Sequence, residues 1–243
     1  MNTALTDKAI LVTGANRGIG RALVQEALRR GARRVYAGTR QAMAQTDERV
    51  VPLGLDITDR AQIEAAAKVV DRLDLLVNNA GISLYDDLSD RAALEAHLAV
   101  NLFGPYDMTQ AFLPALAESR GAVVNILSIA SLAALPIIPS YSVSKAAAFS
   151  LTQNLRSLLA GRGVNVHAVL VGPTDTEMSR GFEVPKVSPD HAAAAIFDGV
   201  EAGDEEIFPH PMLEAAAHSW RTGEVKSLER QFATLVEPAV LVP

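Results

Sequence analysis

Tyr141 and Lys145 stand four residues apart inside a stretch of helical spacing. On a helix that interval puts both side chains on one face, about 5–6 Å apart at Cβ. A free phenol titrates near pH ~10 and is a poor proton carrier at pH 7. A neighbouring ammonium favours the phenolate and lowers that value. The pair can therefore pass a proton to or from a substrate oxygen. Ser128 closes the apolar run Ala122–Leu127 shortly before this helix, and its hydroxyl can hold the same oxygen in place.

A second constellation lies near the N-terminus. The apolar run Ala9–Thr13 leads into Gly14-Ala15-Asn16-Arg17-Gly18-Ile19-Gly20, where a helical pattern begins. Gly14 suits a tight turn, Gly18 lets backbone approach a pyrophosphate, and Gly20 lets helix and strand pack closely. The free N–H groups and positive dipole end of the helix then face the phosphates. NAD sites usually carry an acid about 20 residues further on, bonding the ribose 2′-OH. The second strand here ends Gly38-Thr39-Arg40, with no acid, and Arg17 lies in the glycine loop itself. Two guanidiniums suit a 2′-phosphate, so NADP(H) is the expected cofactor, with NAD(H) as the second choice.

The elements that must position these residues follow from periodicity. Strands are expected at Ala9–Thr13, Arg34–Gly38, Val50–Leu55, Leu73–Asn78, Ala122–Leu127, Val164–Val171 and Glu206–Phe208. Helices are expected at Gly18–Arg30, Asp59–Asp71, Ser89–Val100, Leu102–Glu118, Tyr141–Gly161 and Pro189–Glu201. This alternation predicts an α/β fold: one Rossmann-like, doubly wound parallel sheet of about seven strands with helices on both faces. No composition break divides the 243 residues, so 1–243 reads as a single nucleotide-binding domain. The last forty residues give no clear pattern. Ser179–Ser188 has no period either and reads as a short substrate lid, about 179–188.

Composition removes other classes. There is no cysteine, hence no disulfide framework, zinc–thiolate site or cysteine nucleophile. His97, His167, His191, His210 and His218 show no metal-ligand spacing and read as surface or satisfied histidines, and no metal is expected. A net charge of −6 argues against nucleic acid as a partner. The longest apolar run, Leu132–Pro139, is far short of the roughly 20 residues that span a bilayer, and the N-terminus shows no signal peptide. A cytoplasmic protein with no membrane partner is expected.

Taken in order, TGANRGIG, Asn78-Asn79-Ala80-Gly81, Ser128 and Tyr141-Ser142-Val143-Ser144-Lys145 resemble the short-chain dehydrogenase/reductase superfamily in its short TGxxxGxG form. The resemblance covers about Lys8 to Met178. It implies reversible hydride transfer between a nicotinamide and a carbonyl or secondary alcohol. It makes Asn101 the fourth member of a Ser–Tyr–Lys–Asn tetrad, its backbone holding a water that connects Lys145 to solvent. Lys145 would also hold the nicotinamide ribose. Asp56 would bond the adenine amino group with Ile57 beside the ring, and Asn79, Ala80 and Gly81 would line the nucleotide site. Gly172 and Thr176 match the segment that meets the nicotinamide carboxamide. The helices Leu102–Glu118 and Tyr141–Gly161 resemble those the superfamily uses for oligomerisation, so a homo-oligomer, dimer or tetramer, is expected.

Two departures narrow the reading. The proline after the sixth strand falls one place late, at Pro173. The C-terminal Asp204–Met212 lacks the Val-Asp-Gly-Gly-like end of many relatives, which sets aside a carrier-protein role and weakens the inference of a tetramer. The expected pocket walls, Leu84, Leu135, Met178 and Phe182, are apolar, and only Arg180 and Lys186 stand near enough in sequence to grip a carboxylate. The small-molecule substrate is therefore expected to be an apolar ketone, aldehyde or secondary alcohol. The alternatives are a 3-ketoacyl-thioester reductase and, in a different class, a non-catalytic NADP-sensing regulator.

Overall fold

The computed structural model describes residues 4–41 and 47–236. Of the C-terminal forty residues, 237–243 lie outside that range. Seven parallel strands form one sheet: β1 (Ala9–Thr13), β2 (Arg34–Thr39), β3 (Val50–Gly54), β4 (Leu75–Asn78), β5 (Ala122–Ser128), β6 (Asn165–Val171) and β7 (Glu206–Ile207). Their order is β3-β2-β1-β4-β5-β6-β7. The order reverses between β1 and β4, and open α/β sheets bind ligands in the crevice at such a point. The described residues form eight α-helices: α1 (Gly18–Arg29), α2 (Arg60–Val69), α3 (Arg91–Leu98), α4 (Gly104–Ser119), α5 (Pro139–Ala160), α6 (Pro189–Ala202), α7 (Glu214–Thr222) and α8 (Glu224–Ala233).

Side chains alternate across the sheet, which builds two cores. Ile10 and Val12 of β1 join Leu23 and Ala27 of α1 and Ile196 and Phe197 of α6 on one face. Ala9 and Leu11 join Ile63 of α2, Phe112 and Leu116 of α4 and Leu155 of α5 on the other. Strands covered on both faces must be apolar along their whole length, which explains the unbroken runs in the sequence. β1 is buried throughout.

Two elements differ from the sequence expectation. A break was expected at Asn101, between two helices. Instead a π-helical turn, Ala99–Phe103, joins α3 to α4 and carries Asn101 at its centre. The C-terminal stretch, which has no clear pattern, forms α7 and α8. The reason is an inverted face. Lys226 of α8 is only 2% exposed and bonds Glu205, Glu206 and Glu229 at 2.8, 2.9 and 3.0 Å. Arg156 of α5 reaches Glu206 at 2.8 Å and Glu229 at 2.5 Å. Meanwhile Val225, Leu228 and Phe232 are exposed. Periodicity searches for apolar residues facing inward, and α8 docks by charge. No described helix is long and apolar enough to cross a membrane.

Candidate active site

The carboxyl ends of β1, β4, β5 and β6 converge on one crevice. β1 turns at Gly14, whose φ of +65° lies in the region that favours glycine. α1 starts four residues later. No side chain caps it and no acid stands in its first turn, so its leading N–H groups carry no side-chain acceptor. That is the donor set a diphosphate requires. Asn79 ties the loop to β4: its Nδ2 donates to the Thr13 carbonyl at 2.9 Å, and the Thr13 hydroxyl accepts from the N–H groups of Asn79 and Ala80 at 3.0 Å each. Asn78 continues inward, donating to Asn125 at 2.9 Å. Asn125 in turn donates to Thr152 of α5 at 2.9 Å. This amide chain holds β4, β5 and α5 in mutual register.

Tyr141 lies in the first turn of α5, buried, with its hydroxyl bonded to the Ser128 side chain. Ser128 Oγ accepts the Ala130 N–H at 3.1 Å, which fixes the hydroxyl at the end of β5. Lys145 follows one turn on. Its ammonium donates to the Ile126 carbonyl at 2.8 Å and stands 5.7 Å from the centre of the Tyr141 ring. Burial pushes the Tyr141 phenol above its ordinary value, against the Ser128 bond, and pulls Lys145 down to about 8. Asn101 Nδ2 donates to the Ile82 carbonyl at 3.0 Å and to Ser144 Oγ at 2.9 Å, and Oδ1 accepts the Ile82 N–H at 2.9 Å. Ser144 passes the contact on to the Tyr141 carbonyl at 2.7 Å. The Asn101 side chain is thus fully engaged. Gly81 keeps the approach open: a Cβ there would lie 3.1 Å from Asn101 Oδ1 and 3.7 Å from Lys145 Nζ. Ser128, Tyr141 and Lys145 therefore lie together, and Asn101 reaches their helix through Ser144.

The nucleotide end is mixed. Thr58 donates its N–H and hydroxyl to Asp56 Oδ1 at 2.9 and 2.7 Å, holding the carboxyl below the usual range, and Arg40 adds to that pull. Thr39 is buried, Arg40 and Asn16 are exposed, and Ile19 is half-buried. Two of the expected residues make contacts of their own. Ile57 was expected beside the adenine ring, but its side chain is buried and packs on Gly104, where a Cβ would meet Ile57 Cδ1 at 2.5 Å. Arg17 was expected to share a 2′-phosphate with Arg40. Its guanidinium pairs with Glu177, and both side chains are exposed. Glu177 opens a short turn just after Thr176, and a Cβ on Gly18 would meet Thr176 Cγ2 at 3.1 Å, so the glycine loop and the segment after β6 already touch. Gly172 lies beneath the His210 ring, whose Cγ would be 2.9 Å from an added Cβ.

Leu84, Leu135 and Met178 are exposed. The half-buried Phe182 ring stacks on Tyr85 at 6.0 Å. The base of the 179–188 segment is tied down by Asp175 N–H to the Val187 carbonyl at 2.9 Å and Val187 N–H to the Pro173 carbonyl at 3.1 Å. Lys186 donates to the Ser179 carbonyl at 2.8 Å, so it is engaged within its own loop. One further residue here is not singled out by its sequence context. His97 is fully buried, and Leu84 N–H donates to its Nε2 at 3.0 Å. A signal was present: His97 stands four residues before Asn101, on the same helix face. Among the described residues no cluster of His, Cys, Asp and Glu could hold a metal.

A doubly wound sheet with this glycine turn and this Ser–Tyr–Lys group defines a nicotinamide-nucleotide oxidoreductase. The short chain dehydrogenase family matches residues 8–185. A short-chain dehydrogenase from Burkholderia cenocepacia J2315, solved in complex with NADP, is 37% identical and superposes with a TM-score of 0.86 over 98% of this chain and 99% of that one. The NADPH-bound carbonyl reductase from chicken fatty liver is 28% identical, with a TM-score of 0.76 over 84% of this chain and 97% of that one. Short-chain dehydrogenase/reductase 3 of Bos taurus is 33% identical over 81% of this chain and 73% of its own. The chain belongs to the short-chain dehydrogenase/reductase family and is an NAD(P)-dependent oxidoreductase.

Proposed function

We propose that this enzyme is an NADP(H)-preferring carbonyl reductase acting on a neutral, apolar ketone or aldehyde and, in reverse, on the secondary or primary alcohol. The observation that carries the reading is the buried Ser128–Tyr141–Lys145 group at the open end of β5; the apolar Leu84, Leu135, Met178 and Phe182 would wall the substrate pocket beside it. When bound, the dinucleotide supplies or accepts the hydride. The α1 N-terminus and the glycine loop would hold its diphosphate, Asp56 its adenine, Arg40 and a released Arg17 its 2′-phosphate, and Lys145 its nicotinamide ribose. Gly172 and Thr176 would meet its carboxamide. In reduction, Ser128 donates a hydrogen bond to the substrate oxygen and Tyr141 gives that oxygen its proton as the carbonyl carbon becomes tetrahedral. Lys145 stabilises the phenolate left behind. Asn101 ties the π turn to the segment at Ile82 and to Ser144, next to Lys145. Tyr106 of α4 and Val143 and Leu158 of α5 are exposed, which supports pairing of these helices in a homo-oligomer.

An NADPH-oxidation screen over neutral aldehydes and ketones, repeated with NADH, tests this reading. Turnover with a kcat/KM for NADPH at least about tenfold above that for NADH is expected. Arg40→Ala should raise the KM for NADPH by about 10–100-fold and leave that for NADH within about threefold, the range for hydrogen bonds to a charged group. Glu177→Ala, which releases Arg17, should not weaken NADPH. Equal use of both cofactors, or an unchanged NADPH KM in Arg40→Ala, overturns the 2′-phosphate assignment.

The pH profile gives a further check. Burial depresses Lys145 to about 8, so its charge is lost as pH rises through that value. Tyr141, shifted upward, is still protonated there. Reductive kcat/KM for the ketone should be level below pH 8 and fall above it. An unfolded lysine keeps its proton to about pH 10.5, so between about 8 and 10.5 the unfolded chain binds more protons. Folding stability contributed by this group therefore rises with pH across that window. A reductive profile that stays flat to pH 10 contradicts the role given to Lys145.

A further inference from the structure

The wall between Gly81 and Leu88 has no regular secondary structure, yet every second residue in it is held by a side chain. Asn101 brackets Ile82 through both its N–H and its carbonyl, at 2.9 and 3.0 Å. His97 Nε2 accepts the Leu84 N–H at 3.0 Å. Asp86 Oδ1 accepts the Ser140 hydroxyl at 2.8 Å, one residue before Tyr141. Holding alternate residues of an extended segment fixes which side the others present. Tyr85, between two anchors, is exposed and meets Phe182 across the mouth.

His97 is the central anchor, and its protonation state follows from its partners. Ala93 O lies 2.7 Å from Nδ1 and can only accept, so Nδ1 carries the hydrogen. The Leu84 N–H can only donate, so Nε2 is bare. The ring is neutral, in one tautomer, and fully buried. Its edge meets the Tyr141 ring at 6.5 Å and 75°, an edge-to-face arrangement. One side chain thus touches both the proton-carrying tyrosine and the wall that faces it.

We propose that His97 is a positioning residue: its Nε2 holds Leu84 so that the Ile82–Asp86 wall presents Tyr85 to Phe182, and this setting governs how tightly an apolar substrate is seated beside Tyr141. The inference rests on the carbonyl-reductase reading for its kinetic consequence and on geometry alone for the anchoring. Two variants separate the two bonds. In His97→Asn the amide nitrogen takes the place of Nδ1 and keeps the Ala93 bond, but nothing reaches Leu84. In His97→Gln the longer amide restores an acceptor at the Nε2 position.

The first measurement is amide hydrogen exchange at Leu84 in the full-length protein. His97→Asn should exchange at least about tenfold faster than wild type, and His97→Gln should return to within about threefold, as expected for one hydrogen bond lost and regained. The second is steady-state reduction of acetophenone with NADPH. His97→Asn should raise the KM for the ketone about tenfold with kcat and the NADPH KM within about threefold, and His97→Gln should recover most of it. Unchanged exchange at Leu84 in His97→Asn overturns the anchoring. A fall in kcat with the ketone KM unchanged overturns the positioning role. If the wild type reduces no carbonyl compound, the parent reading fails, while exchange at Leu84 still decides for or against the anchor. Should His97→Asn not fold, His97→Phe, which keeps the ring against Tyr141 and loses the acceptor, replaces it in both measurements.

Discussion

Tyr141→Phe is expected to lower kcat for carbonyl reduction by about 10²–10⁴-fold, the range for removing a positioned general acid. The substitution deletes one oxygen and leaves the ring. The ring is what His97 meets edge-on and what Lys145 faces at 5.7 Å, so both contacts persist. Ser128 keeps its bond from the Ala130 N–H and stays at the end of β5. The hydroxyl has one side-chain partner, Ser128, so its loss frees a donor and does not open a cavity. NADPH affinity, followed by fluorescence titration, should stay within about threefold of wild type, and thermal stability should change little. The defect should appear in a single turnover as well, because it lies in proton delivery and not in product release. A variant retaining more than a third of wild-type kcat would show that the proton comes from elsewhere and would remove Tyr141 from its proposed role.

How far the sequence led depends on what each element uses to hold itself in place. β1, the turn after it and the start of α1 were readable to the residue, and the end of α1 to within one, because glycine spacing, an apolar run and helical periodicity all agree there. Tyr141 and Lys145 were readable for the same reason: a four-residue interval on a helix leaves little freedom. Asn101 bonds Ser144, the residue before Lys145, and the helix break expected around it is a π turn. Such a turn differs from an uninterrupted α-helix only by a one-residue shift in hydrogen bonding, and composition carries no mark of it. His97 was read as one of several satisfied histidines. It is satisfied, but by the N–H of Leu84, and no local pattern reports a contact across thirteen residues of loop and helix. Arg17 shows the limit for charged side chains. Its presence in the loop was visible, but its pairing with Glu177 depends on how the segment after β6 folds back. α8 was the least legible, because its buried face is Lys226 and Glu229 and its outer face is apolar.

Gly20→Ala is expected to raise the NADPH dissociation constant at least about 100-fold, with a loss of stability of about 1–3 kcal/mol, as for other overpacking substitutions. The added methyl would lie 2.1 Å from the Gly14 carbonyl oxygen and 2.5 Å from Asn79 Nδ2. The first is backbone, in a turn held at φ +65°, and cannot swing aside as a flexible side chain would. The second donates to the Thr13 carbonyl at 2.9 Å and ties β4 to β1. Relief requires α1 to lift from the turn, or Asn79 to leave. Either movement turns the first N–H groups of α1 away from the diphosphate, and those donors act together, so the loss in affinity exceeds the strain itself. Gly161→Ala is the matched control. Gly161 follows α5 at φ −64°, with nothing within 4 Å of an added Cβ. It should leave NADPH affinity unchanged and hold or slightly raise the melting temperature by restricting the unfolded chain. Thermal melts of both variants with and without saturating NADPH give the decision. Wild type and Gly161→Ala should gain the same stabilisation from the nucleotide, and Gly20→Ala should gain almost none. A full NADPH-induced shift in Gly20→Ala would mean that the diphosphate is held elsewhere than at the start of α1.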